Sequence, residues 1–124
     1  GSIYNTWPLM GSSYYPDDSK LIDFISINVF SDPSIVQFIH RNLAYFIIFI
    51  YLYLFYLVFT KKCIKLYTPI LIIGLSLILQ IILGILTLLS GVKIFYASIH
   101  QINSIIIILS TLYFLYILKN KKTS

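Results

Sequence analysis

Three long apolar stretches divide this chain, separated by short polar breaks. The first runs from Ile35 to Thr60 and is interrupted only near its start, by Gln37, His40, Arg41 and Asn42. The second runs from Thr68 to about Leu89, with Pro69 in its first turn, where a missing N–H is tolerated. The third runs from Ile94 to Leu118. Each reaches the roughly 20 residues a helix needs to cross a bilayer. Ile, Tyr and Phe crowd these runs, which by soluble propensities would read as strands. Length decides for helices, because in lipid a helix satisfies its own backbone and an open-edged three-strand sheet does not. The pattern predicts an all-α integral membrane protein with spans at 35–60, 68–89 and 94–118.

Residues 1–34 differ in character. Pro8, Gly11, Ser12, Ser13, Pro16 and Pro33 punctuate them as a loop outside the membrane. Within it, the apolar segment from Leu21 to Phe30 is too short to span and reads as an interfacial helix on the outer leaflet. Trp7, the single tryptophan, suits the same interface, as do Tyr14 and Tyr15. The expected division is thus a loop over 1–34 and a helical bundle over 35–124. No signal peptide is visible, and the missing start methionine predicts a longer parent chain.

Composition agrees and excludes other classes. Only 10% of the 124 residues are charged and the mean hydropathy is +0.91, too apolar to coat a water-facing surface; a soluble domain carries about 25% charged residues. A cytosolic enzyme domain and a disordered tail are excluded, and the single Cys63 excludes a secreted disulfide scaffold. The net charge of +5 does not mark a nucleic-acid binder, because the lysines sit at span ends. Lys61, Lys62 and Lys65 follow the first span, and Lys119, Lys121 and Lys122 follow the third. The positive-inside rule puts both ends in the cytoplasm or the mitochondrial matrix. All four acids, Asp17, Asp18, Asp23 and Asp32, fall in the opposite, N-terminal segment and read as a solvated loop. Cys63 reads as a packing or surface thiol on the reducing side.

In so apolar a chain each intramembrane polar group is a functional candidate. His40 lies 21 residues before Lys61 and His100 lies 19 before Lys119, roughly 32 and 29 Å of helix. The first and third spans run parallel, so both imidazoles sit at nearly one depth, close to the outer face. Such a pair can ligate one metal or one haem iron from opposite sides, or bond across helices. A zinc site wants three or four ligands, and the chain offers two histidines, a cysteine at the other face and no Glu. On the third span Ala97, Asn103 and Ser104 lie near the face of His100. On the second, Ser76, Gln80, Gly84, Thr87 and Gly91 form a small, polar stripe facing the bundle interior. It either leaves room for a macrocycle or simply lets helices pack closely. Arg41 is open to two readings, a donor to haem propionates or a side chain snorkelling to the surface.

Three blocks carry a resemblance to the C-terminal half of haem A synthase. Gly1-Ser2-Ile3-Tyr4-Asn5-Thr6-Trp7-Pro8-Leu9-Met10 looks like that family's G-x-x-Y-N-T-W/F-P-x-M loop. Val36-Gln37-Phe38-Ile39-His40-Arg41-Asn42-Leu43-Ala44-Tyr45 looks like its V-Q-F-x-H-R-x-x-A-Y helix. The stretch from Gln80 to Leu89, with Ala97-Ser98-Ile99-His100-Gln101, looks like its Q-x-x-L-G-I-x-T-L-L and A-x-x-H-Q pair. The chain departs at Ser31-Asp32, where the family usually has Glu-Asn, at Lys93, where it often has Pro, and at Asn103, where it has a small residue.

The resemblance implies three transmembrane helices of an incomplete four-helix bundle. It implies haem b as cofactor, His40 and His100 as axial iron ligands, and Arg41, Gln80, Gly84 and Gln101 as further cofactor-binding residues. The implied function is support for oxidation of haem O to haem A in cytochrome oxidase assembly, with no catalytic residue in this part. The implied partners are the missing N-terminal helices, from the same gene, a separate chain or a second copy. Haem O synthase and the cytochrome oxidase assembly machinery follow as partners, with membrane lipid around them and no nucleic acid. The implied location is a bacterial plasma membrane or mitochondrial inner membrane. Two other classes stay open from the residues alone: a small bis-histidine haem b electron-transfer subunit, and a cofactor-free structural subunit of a respiratory complex.

Overall fold

The protein is described by a computed structural model over residues 3–17 and 31–120. Three α-helices follow one another: α1 (Pro33–Thr60), α2 (Tyr67–Leu89) and α3 (Ile94–Asn120), with a 3-10 turn at Ile64–Leu66 before α2. All three are long and apolar enough to cross a membrane, and among the described residues there is no strand. The all-helical expectation holds. The segment from Leu21 to Phe30, expected as an interfacial helix, lies outside the described residues, as do Asp18, Asp23, Lys121 and Lys122.

Local chemistry sets the helix ends. α1 begins at Pro33, two residues before the expected Ile35, because the Asp32 carboxylate accepts from the Ser34 N–H at 3.0 Å and from its hydroxyl at 2.7 Å. Proline then fits the first helical position, where no N–H is required. Asp32 is therefore a helix cap, a correction to the solvated-loop reading. Both inter-helix turns close the preceding helix through a left-handed residue. After α1, Lys62 takes φ 50° while Cys63 N donates to Val58 O at 2.9 Å. After α2, Gly91 takes φ 72°, and Val92 N donates to Thr87 O at 2.8 Å. Gly91, expected in the small-residue stripe, instead terminates the helix, where a residue without Cβ relieves the backbone.

The helices pack unevenly. α2 and α3 lie against each other along their length, whereas α1 meets them mainly at the lysine-bearing end. There Val58, Leu66, Ile70, Ile73, Leu77 and Phe114 form the buried core, and Cys63 packs against it. Phe55, Phe59 and Tyr67 stack in series at 4.4 and 4.5 Å. Midway along, the Tyr51 hydroxyl donates to Ile70 O at 3.3 Å and sits where a Cβ on Gly74 would go. Only glycine lets α1 approach α2 at that point. Between α1 and α3 a groove of about 290 Å³ runs past Ile47, Ile50, Ile107 and Thr111.

Candidate functional site

The polar residues gather at the other end. α1 and α3 present His40 and His100 to each other, with ring centroids 6.2 Å apart and planes inclined at 66°. The matched depth counted from the lysines is thus realised as proximity. His40 is exposed and His100 is half-buried. The asymmetry comes from α2, which backs His100 and leaves His40 open.

Gly84 and Gln80 do the backing. A Cβ on Gly84 would come within 3.3 Å of His100 Cε1, so the missing side chain makes the recess for the ring. One turn earlier, Gln80 Nε2 lies 3.3 Å from His100 Nε2. Asn103, buried on α3, donates from Nδ2 to Gln80 Oε1 at 2.6 Å and to Ser76 O at 2.9 Å. His100 Nδ1 is buried with no hydrogen-bond partner among the described residues. Ser76, Gln80 and Gly84 therefore face α3, as the stripe reading anticipated. Asn103 was marked in the sequence by its position near the face of His100 and as a departure from the family pattern. Gln101 is exposed on α3 and stands outside this cluster.

Arg41 is put to a use that neither reading foresaw. It is buried, and its guanidinium binds the backbone of the N-terminal loop. Nη2 donates to Thr6 O at 2.6 Å, and Nη1 donates to Pro8 O and Leu9 O, both at 3.2 Å. One turn before it, Gln37 holds Tyr4 at two points, accepting from its N–H at 3.0 Å and donating to its carbonyl at 2.9 Å. The Tyr14 hydroxyl donates to Asn42 Oδ1 at 2.7 Å, and Tyr14 and Tyr15 both set their rings edge-on to Phe38. Gln37 and Arg41 are spaced i, i+4 and so share one face of α1, the face that meets the loop.

The loop is itself knotted by Asp17, which accepts from the Ser12 N–H, the Ser12 hydroxyl and the Ser13 hydroxyl. Like Asp32, Asp17 orders backbone, and it does so as an exposed acid of the loop. Gly11 at φ 84° lets the turn close over this carboxylate. On the far side the loop reaches the α2–α3 turn, where a Cβ on Gly91 would approach Asn5 Nδ2 to 4.0 Å. Residues 3–17 therefore lie across the histidine end, fastened to α1 and reaching the end of α2. Trp7 is exposed on this loop.

Comparisons with known proteins place the chain in a family. A profile of the cytochrome oxidase assembly protein family matches residues 1–112. The haem A synthase of Pelagibacter ubique (strain HTCC1062) is 43% identical over 120 residues, 97% of this chain and 34% of that protein. The haem A synthase of Wolbachia pipientis wMel is 41% identical over 124 residues, the whole chain and 34% of that protein. That of Rickettsia bellii (strain RML369-C) is 36% identical over 120 residues, 97% of the chain and 35% of that protein. The chain thus spans about a third of the length of the curated relatives it matches. No solved structure matches it. The three apolar helices, the paired histidines and the loop on Arg41 are those of a membrane protein that belongs to the cytochrome oxidase assembly protein family.

Proposed function

We propose that this chain is the haem b-holding part of a haem A synthase, with His40 and His100 as the two axial ligands. The observation that carries the reading is the 6.2 Å between ring centroids. Two metal–imidazole bonds of about 2.0–2.1 Å, plus the half-width of each ring, call for a separation on the order of 6 Å. The recess at Gly84 supports it further. Two imidazoles leave the rest of a coordination sphere to be filled, which a macrocycle would do.

Held this way, haem b supplies a one-electron centre for oxidising haem O to haem A in an oxidoreductase of this family. The chain's own residues do the rest. Gly84 seats the His100 ring and Gln80 orients it. Arg41 and Gln37 hold the loop across the histidine end of α1. The reacting carboxylates and substrate haem belong to helices outside this sequence, supplied by the same gene, a separate chain or a second copy. The loop end faces the periplasm or intermembrane space and the lysine end the cytoplasm or matrix, following the positive-inside rule.

The test is the optical spectrum of the intact protein purified from membranes. A Soret band with a low-spin bis-histidine signature is expected, lost in His40→Ala and in His100→Ala. Unchanged low-spin spectra in both variants sink the ligand assignment. The Gln80–His100 contact favours a second reading, in which the histidine only bonds across helices in a cofactor-free subunit. A protein purified without any Soret band establishes that reading instead. A haem-loaded protein that fails to support conversion of haem O to haem A points to a simple electron carrier.

A further inference from the structure

We infer that Asn103, acting through Gln80, is a positioning residue that fixes which nitrogen of His100 carries the proton. The inference rests on the ligand role proposed for His100 and specifies how that role is prepared.

The chain of bonds starts from a group that has no choice. Ser76 O is a backbone carbonyl and only accepts, so the Asn103 atom 2.9 Å from it is the donor Nδ2. The same Nδ2 lies 2.6 Å from the Gln80 amide, which must turn its oxygen, Oε1, toward it. The Gln80 NH2 is thereby turned toward His100 Nε2, 3.3 Å away. An NH2 has no lone pair to offer, so Nε2 accepts and the proton of the neutral ring sits on Nδ1. Reversing Gln80 sets NH2 against NH2 at Asn103. Reversing Asn103 as well sets Oδ1 against Ser76 O. Each reversal costs a buried polar group its partner, about 1–3 kcal/mol.

The result is an imidazole whose Nε2 lone pair is defined in advance. Metal-binding histidines commonly fix this tautomer by donating Nδ1–H to a carbonyl or carboxylate. Here Nδ1 is buried with no hydrogen-bond partner among the described residues. The tautomer is set from the opposite side, by a donor occupying the position where a metal would bind. Gln80 then holds the place beside the lone pair in the haem-free protein, and Asn103 is what keeps its amide facing the right way.

The test reads the ring nitrogens directly, by 15N NMR of His100 in the intact, haem-free protein in lipid nanodiscs at alkaline pH. The wild-type ring is expected as a single tautomer protonated on Nδ1. Asn103→Leu frees the Gln80 amide to turn, and a second, Nε2-protonated population is expected. In Gln80→Glu the ionised carboxylate only accepts, so the proton moves to Nε2. Unchanged His40 signals and circular dichroism establish that each variant is folded. A wild-type ring protonated on Nε2 overturns the inference, as does an unaltered single tautomer in both folded variants. Loading with haem separates this result from the ligand reading. Absence of a Soret band in the wild type defeats the ligand role and leaves the tautomer measurement standing on its own. With haem bound, Asn103→Leu is expected to weaken haem affinity severalfold while keeping the low-spin spectrum.

Discussion

The two ends of the bundle are held together by different physics. At the lysine end, α1, α2 and α3 close on interlocked apolar side chains, from Val58 and Ile70 to Phe114. At the histidine end, directed hydrogen bonds do the fastening: Asn103 to Gln80 and Ser76, Gln37 to Tyr4, Arg41 to three loop carbonyls. In lipid the apolar contact gains little from the hydrophobic effect and depends on close packing. The polar contacts are strong but local. The first end therefore holds the three helices by the fit of apolar side chains, the second by a few directed bonds.

The sharpest way to break the comparison is to damage the packed end. Phe114→Ala leaves a cavity where the helices converge and should cost about 3 kcal/mol. Thermal unfolding in detergent should fall clearly, while the spectrum of any bound haem survives in the folded protein. Loss of that spectrum along with stability would mean the two ends are one unit. Next in size is Arg41→Ala, which strips three loop carbonyls of a charged donor, at about 2 kcal/mol. Here proteolysis of residues 3–17 should quicken on the order of 30-fold while helix unfolding stays put; an equal drop in helix stability would refute the separation.

Smaller effects sharpen it further. Asp32→Ala removes the α1 cap and should cost about 1 kcal/mol, seen as faster amide exchange in the first turn of α1 and nowhere in the core. The smallest change goes the other way. Lys62→Gly relieves a side chain in the left-handed region and should stabilise the lysine end by up to about 1 kcal/mol. No gain in melting temperature would show that Lys62 makes compensating contacts.

Much of this was legible in the sequence because a bilayer simplifies the problem. Apolar length alone placed the spans, and counting from the lysines brought His40 and His100 to one depth. Helical periodicity likewise identified Ser76, Gln80 and Gly84 as one face. What escaped depends on the chain folding back on itself. Nothing in the residues near Arg41 announces that the carbonyls of Thr6, Pro8 and Leu9 arrive beside it, because backbone carbonyls leave no mark in composition. Asp17 and Asp32 looked like solvated acids for the same reason, since their partners are local N–H and hydroxyl groups. Gly91 fitted a packing stripe by spacing, and only its φ reveals the helix end.

The seat of the Tyr51 hydroxyl on Gly74 also has a mechanical meaning. α1 is anchored at Val58, touches α2 at Tyr51, and carries His40 toward its far end. At 1.5 Å per residue, the contact lies about 10 Å from the anchor and the histidine about 27 Å. A rigid helix is thus a lever, and any displacement at the contact is multiplied roughly two- to threefold at His40. The gauge of the histidine pair is accordingly set by whether one hydroxyl sits flush on one glycine, in the apolar middle of the membrane.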